Sequence, residues 1–153
     1  MLGYSAFIPC VGSLRLSANQ TTNLANNNRI QWDVNELSSG WASLITSGSE
    51  VGTINLNAPG RYLILSQVRA TGTNVNATLQ WYNKDSATYI GKRTRILGAN
   101  QVASSVEGMA PLSSVWVNLL AGTPAIPIEL RVVSGGGSMT NWLTDSWAFI
   151  HRM

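Results

Sequence analysis

The side chains able to move a proton, hold a metal or attack a substrate are few in this 153-residue chain. There is one histidine, His151, and one cysteine, Cys10. The seven carboxylates are Asp33, Glu36, Glu50, Asp85, Glu107, Glu129 and Asp145. A serine or cysteine nucleophile with a histidine base would have to recruit His151, which alternates with Trp147 and Phe149 near the chain end. That setting predicts a structural histidine rather than a base or a ligand. Cys10 lies in an apolar stretch without a basic neighbour, the setting of a buried and inert thiol. Most carboxylates fall at expected strand ends and loops, where solvated residues belong. No Asp-x-Asp cluster offers a calcium site, and one His with one Cys cannot make a conventional zinc site. Gly135-Gly136-Gly137 lacks the lysine and the following helix of a phosphate loop, and reads as a turn. The sequence predicts no catalytic, cofactor-binding or metal-binding residues, and a chain that is not an enzyme.

Six tryptophans, Trp32, Trp41, Trp81, Trp116, Trp142 and Trp147, point to binding rather than reaction. Large aromatics fill cores and anchor interfaces. Trp81 and Trp147 occupy in-phase strand positions and are expected in or near the core. Trp116 is out of phase with Val115 and Val117, which aims it at a neighbouring subunit. Trp41 and Trp142 lie beside loop residues, where packing, partner contact and glycan stacking all stay open. The eight Arg and two Lys are scattered, apart from Arg93 and Arg95 beside Lys92. At a formal charge of +3 they form no basic tract, so no nucleic-acid partner is expected. Dispersed surface arginines fit the pattern better than a patch steering an anionic partner.

The elements that must position these residues repeat with period two. Ile126, Ile128, Leu130 and Val132 alternate with Pro127, Glu129 and Arg131. Tyr62, Ile64, Ser66 and Val68 alternate with Arg61, Leu63, Leu65 and Gln67. Val115, Val117 and Leu119 alternate with Trp116, Asn118 and Leu120. In the last two runs both faces are partly apolar, as in strands with one face on a core and the other against a neighbour. Shorter runs are Ile54 with Leu56, Leu79 with Trp81, and Trp147, Phe149 and His151. Turn signals separate them: Asn57-Ala58-Pro59-Gly60, Ala70 to Asn74, Asn83-Lys84-Asp85-Ser86, Ala121-Gly122-Thr123-Pro124 and Ser134 to Ser138. This is the spacing of a sandwich or barrel. The best helical stretch, Val34 to Ile45, carries too many Ser and a Gly for more than one short turn.

Composition bounds the rest. Charged residues make up 11%, and the polar surface falls to 14 Asn, 17 Ser and 12 Thr. Surfaces poor in charge associate readily, which suits a protein that lives in an assembly. A single cysteine excludes an internal disulfide framework and allows synthesis in a cytoplasm. Met1 to Leu14 lacks a basic start and a small-x-small cleavage pattern, so it is not expected to be a signal peptide. No apolar run is long enough for a membrane helix, so no membrane partner is expected. The length suits one domain. Residues 1–28 read as an N-terminal arm or a first strand; residues 29–153 form the domain proper.

The order of motifs resembles the C1q/TNF-like jelly-roll family. The run from Gly52 to Leu65, with its Pro59-Gly60-Arg61-Tyr62 corner, is similar to that family's strand, corner and Gly-x-Tyr. Arg29-Ile30-Gln31-Trp32-Asp33 looks like its early strand. Val115 to Gly122, followed by Ile128-Glu129-Leu130-Arg131-Val132-Val133, looks like its Leu-x-Gly corner and x-Glu-Leu-x-Val strand. Ser146 to His151 looks like the strand that closes such domains. The chain departs from the family at Thr123 and Pro124, where an acidic residue usually stands. It also departs in having no collagen-like stalk. The resemblance implies an all-β jelly-roll sandwich and a homotrimer. The Asn/Ser/Thr-rich composition looks more like that of the bacteriophage virion proteins of this class. That likeness implies a capsid cement or decoration protein whose partner is the major capsid protein of a phage head, sited on the virion exterior, with residues 1–28 as the candidate capsid contact. The alternative is a trimeric fibre tip that binds a host receptor or glycan through loop aromatics such as Trp41 and Trp142.

Overall fold

Alternating apolar residues become strands that pair antiparallel throughout. The computed structural model describes residues 10–21, 27–37, 40–72, 75–97, 106–109, 113–136 and 139–153. Among them the strands are β1 (Cys10–Arg15), β2 (Val34–Asn35), β3 (Ala42–Leu44), β4 (Ile54–Leu56), β5 (Gly60–Gln67), β6 (Arg69–Gly72), β7 (Asn76–Asn83), β8 (Thr88–Leu97), β9 (Val106–Met109), β10 (Ser113–Leu119), β11 (Ile126–Gly136), β12 (Met139–Trp142) and β13 (Trp147–Arg152). A front sheet has the order β10-β5-β13-β1-β2, and a back sheet the order β3-β4-β11-β7-β8. A small third sheet, β12-β6-β9, caps one end. The steps from β4 to β5, β8 to β10, β10 to β11 and β11 to β13 each carry the chain from one main sheet to the other. Sequential strands therefore face each other across the core, which is the jelly-roll order.

The core lies between the two sheets. Tyr62 and Ile64 of β5, Val115 and Val117 of β10, and Leu130 and Val132 of β11 point inward and are buried. So are Trp32, Trp81 and Trp142. A fully buried side chain of this size contributes roughly 1.5–3 kcal/mol relative to exposure. The corner before β5 is pinned from three sides. Tyr62 Oη donates to the carbonyl of Ala58, 2.5 Å away, a bond back along the chain like that of a tyrosine corner. Burial pushes the Tyr62 phenol above its ordinary pKa. Arg152 donates from Nε to the Pro59 carbonyl at 3.0 Å, and its guanidinium lies 3.6 Å over the Trp41 ring. Gly60, at φ +153°, leaves room for that arginine; a Cβ there would come within 2.5 Å of Arg152 Nε.

Some sequence expectations hold and others change. Between Val34 and Ile45 the described residues form two short strands, β2 and β3, and no helix, in keeping with the one short turn at most expected there. The one helical element among the described residues is a 3-10 turn at Gly48–Glu50. Residues 29–33 form no regular strand. Instead residues 27–30 run beside β11 past the end of β4: Ile30 N donates to the Leu130 carbonyl at 2.9 Å and Val132 N to that of Asn28 at 2.8 Å. The first segment divides. Residues 10–15 are β1, hydrogen-bonded between β13 and β2, with Val11, Leu14 and Leu16 in the core. Residues 1–9 and 22–26, where part of the candidate capsid contact falls, lie outside the described residues.

Candidate functional site

The outward side of the front sheet is apolar. On β5, Leu63 and Leu65 alternate outward from Tyr62, Ile64 and Ser66. Register sets Trp116 of β10 beside Leu63 from one flank and His151 of β13 from the other. Phe149 stands beside Leu65. Trp116 is 47% exposed and Phe149 38%, and Met153 is exposed at the end of the patch. Leu63, Leu65, Trp116, His151 and Met153 line a shallow cavity of about 270 Å³. Trp147 extends the patch, its ring 4.9 Å from that of Phe149. Arg61 stacks beside the patch, its guanidinium 4.4 Å from the Trp116 ring.

This corrects the expected phase of the last strand. Trp147, Phe149 and His151 were the residues expected to turn toward the core, yet Ala148 and Ile150 are the buried ones. The two phases differ in side-chain volume. β13 lies in the middle of the front sheet, where small Ala148 fits over the packed core and the large aromatics do not. Trp116 faces outward as its phase predicts. Trp142 does not line a loop; it is fully buried on β12. Trp41 is half-buried beneath Arg152.

The outward side of the back sheet is charged and internally paired. Glu129 is fully buried within β11, although alternation predicts it exposed. Thr53 Oγ1 donates to its Oε1 at 2.8 Å, and Arg131 Nε to its Oε2 at 2.6 Å. Arg29 and Lys84 approach Oε1 at 3.3 and 3.6 Å. Arg29 Nε also donates to the Val51 carbonyl at 2.7 Å, and Lys84 pairs with Glu50. The hydrogen bond and charge of Lys84 hold the Glu50 carboxyl below the usual carboxylate range. Arg131 lies 3.7 Å over the Tyr82 ring. A buried carboxylate is tolerated only with partners of this kind. Arg131 stands two residues away on the same strand, but Arg29, Thr53 and Lys84 come from distant positions that no local spacing signals.

Of the chemistry-bearing residues, register sets Cys10 of β1 opposite His151 of β13, while most of the carboxylates are engaged elsewhere. His151 is on the front face, and Glu50 and Glu129 belong to the back face. Asp33 binds Ser17, Glu36 accepts from Ser13 Oγ at 2.6 Å, and Asp145 pairs with Arg69. Asp85 sits in the β7–β8 hairpin, whose turn is held by Asn83 Oδ1 accepting from Asp85 N at 2.9 Å. Cys10 is on β1 and Glu107 on β9. Among the described residues, no group of three or more His, Cys, Asp or Glu could hold a metal ion.

No protein-family model and no curated protein sequence matches the chain. Solved structures do. A TNF, Eiger, from S. frugiperda superposes with a TM-score of 0.63 at 12% identity, covering 95% of this chain and 93% of that one. Murine APRIL at pH 8.0 gives a TM-score of 0.56 at 10% identity, covering 94% and 98%. A second structure of murine APRIL, at pH 8.5, gives 0.55 at 12% identity. At such identities the likeness is one of fold, and it agrees with the jelly roll that the Pro59-Gly60 corner and its neighbouring motifs suggest.

Proposed function

We propose that the chain is a viral structural protein: a homotrimeric cement or decoration protein that binds and stabilises a phage head. The observation that carries the assembly half is the apolar outer face around Leu63, Leu65, Trp116, Phe149 and His151. A contiguous patch of large apolar side chains on an outer surface marks an interaction site. Aromatics at its centre are the usual anchors of binding energy. A second and a third copy of the chain supply the matching partner. The patch carries almost no charge to repel a like surface, and the composition as a whole is only 11% charged. Three copies present three capsid-binding surfaces, so modest individual contacts add up to a firm attachment. Dispersed carboxylates support binding rather than catalysis. The capsid as partner, and the virion exterior as the site, rest on the resemblance to phage proteins of this class.

Two experiments test this reading. Light scattering of the purified protein should give a trimer. Mixed with undecorated heads of the phage that encodes it, the protein should co-sediment at a fixed ratio and raise the temperature at which the heads open. A truncation meant to probe the N-terminal contact should stop at residue 9, because Val11, Leu14 and Leu16 belong to the core. A protein that ignores the heads but coats host cells would instead be the fibre tip. For that alternative the expected tryptophans offer little: Trp142 is buried, and Arg152 covers a face of Trp41.

A further inference from the structure

We infer that the bulged edge of the back sheet is a docking surface for an acidic protein segment, bound by Lys92, Arg93 and Arg95. The inference does not depend on the trimer or the phage head.

β8 is an edge strand of the back sheet. In a regular ladder neighbours alternate, so Lys92 and Arg93 could not both face solvent. The register breaks here. Leu79 pairs with Thr94 and Trp81 with Ile90, so Gln80 of β7 faces Gly91, Lys92 and Arg93 together. The bulge releases all three to solvent, and Arg95 follows, also exposed.

The bulge is built, not frayed. Gln80, only 8% exposed, donates from Nε2 to the Gly91 carbonyl at 2.8 Å. Its Oε1 accepts from Arg93 Nε at 3.0 Å. Gly91 has φ +71°, and a Cβ there would come within 2.9 Å of the Ser114 carbonyl oxygen and of Val115 on β10. Glycine alone lets the bulged chain lie against β10. Arg95 is anchored likewise, its Nε donating to Asn76 Oδ1 at 3.0 Å.

Both guanidiniums are thus held through Nε by neutral amides. Neither they nor Lys92 pair with a carboxylate among the described residues. Arg29, Lys84, Arg131 and Arg69 differ, since each has one. A guanidinium anchored through Nε keeps its Nη edge for a bidentate carboxylate. Arg93 and Arg95 stand two residues apart, roughly 7 Å along a strand. Alternate side chains of an extended acidic segment have the same spacing. Single-stranded nucleic acid fits less well, because it calls for open aromatic platforms beside the cations. The nearby tyrosines are engaged: Tyr82 lies beneath Arg131, and Tyr89 packs edge-on against Tyr82 and bonds Asn27. Charge and bulges on an edge also prevent sheet-to-sheet pairing. Protection of that kind does not call for two arginines anchored in register.

The test is fluorescence anisotropy with a dye-labelled peptide of alternating Glu and Thr, at low salt. The wild-type protein should bind it, and an Arg93→Gln/Arg95→Gln variant should bind about tenfold more weakly or worse. An Arg93→Glu/Arg95→Glu variant should prefer a peptide of alternating Lys and Thr. No binding by the wild type, or equal binding by the Gln variant, overturns the inference. So does single-stranded DNA that displaces the peptide at equal charge, which would make the edge a phosphate site. Variants that aggregate instead of losing the peptide would assign the cations to edge protection, and that also overturns it.

Discussion

The two main sheets are built from the same alternation, yet their outer faces differ in kind. The back face carries Glu129, Glu50, Arg29, Lys84 and Arg131, and these groups satisfy one another within one chain. The front face carries Leu63, Leu65, Trp116, Phe149 and His151, and nothing among the described residues covers them. A charged group taken from water needs its partners at once, so the back face is complete in a single copy. An apolar face can stay exposed and be satisfied later by another molecule. The contrast teaches which surface the fold keeps for itself and which it leaves for association.

The largest expected effect comes from breaking the self-contained face. Glu129→Ala leaves Arg29, Lys84 and Arg131 facing one another without their shared carboxylate. It should lower folding stability by about 3–5 kcal/mol, read by denaturant unfolding. Next, Trp116→Ala on the open face should leave folding stability within about 0.5 kcal/mol. It should weaken self-association by about 2 kcal/mol or more per contact, read by concentration-dependent light scattering. A Trp116→Ala protein that unfolds easily yet still associates would reverse the roles of the two faces.

A smaller effect is tied to pH. Lys84 lowers the Glu50 pKa in the folded chain below its ordinary value of 4.5. The stability this adds is fully present above pH 4.5 and is lost as pH falls through the lower, folded value. The carboxylate is 45% exposed, so solvent screens the pair and the effect stays well below that of Glu129. Glu50→Gln should flatten the stability curve in that acid range, and an unchanged curve would show that the pair is idle. The smallest effect is expected at Thr94, whose buried Oγ1 finds no partner among the described residues. Thr94→Val removes an unpaired hydroxyl at constant shape. Thermal unfolding should find it neutral or stabilising by up to about 1 kcal/mol.

Much of this was readable from the residues. Tyr62, Ile64, Val115, Val117, Leu130 and Val132 alternate as they face the core. The Pro59-Gly60 corner and the Asn83 hairpin carry their own turn chemistry. Trp116 betrayed the open face by being out of phase with Val115. The misreadings have a common cause. For Trp147, Phe149 and His151, both phases of the strand are apolar, so alternation does not say which side is inside. For Glu129, only Arg131 stands close in sequence; the other partners that make burial tolerable, Arg29, Thr53 and Lys84, come from distant segments. A first strand is legible in the N-terminal segment, but the place of β1 inside the front sheet shows only when β13 and β2 close around it. Trp142 looked like a loop residue because its strand, β12, belongs to the small third sheet, which no periodic run announces.

The account turns on whether the front face is an interface between copies. The direct measurement is sedimentation velocity on the wild-type protein and on a Trp116→Glu/Phe149→Glu variant, at micromolar concentration. The account predicts a wild-type species three times the 16.5 kDa chain mass, and a variant that sediments as a folded single chain. A wild type that sediments as a single chain, or a variant that keeps the trimer, would contradict it.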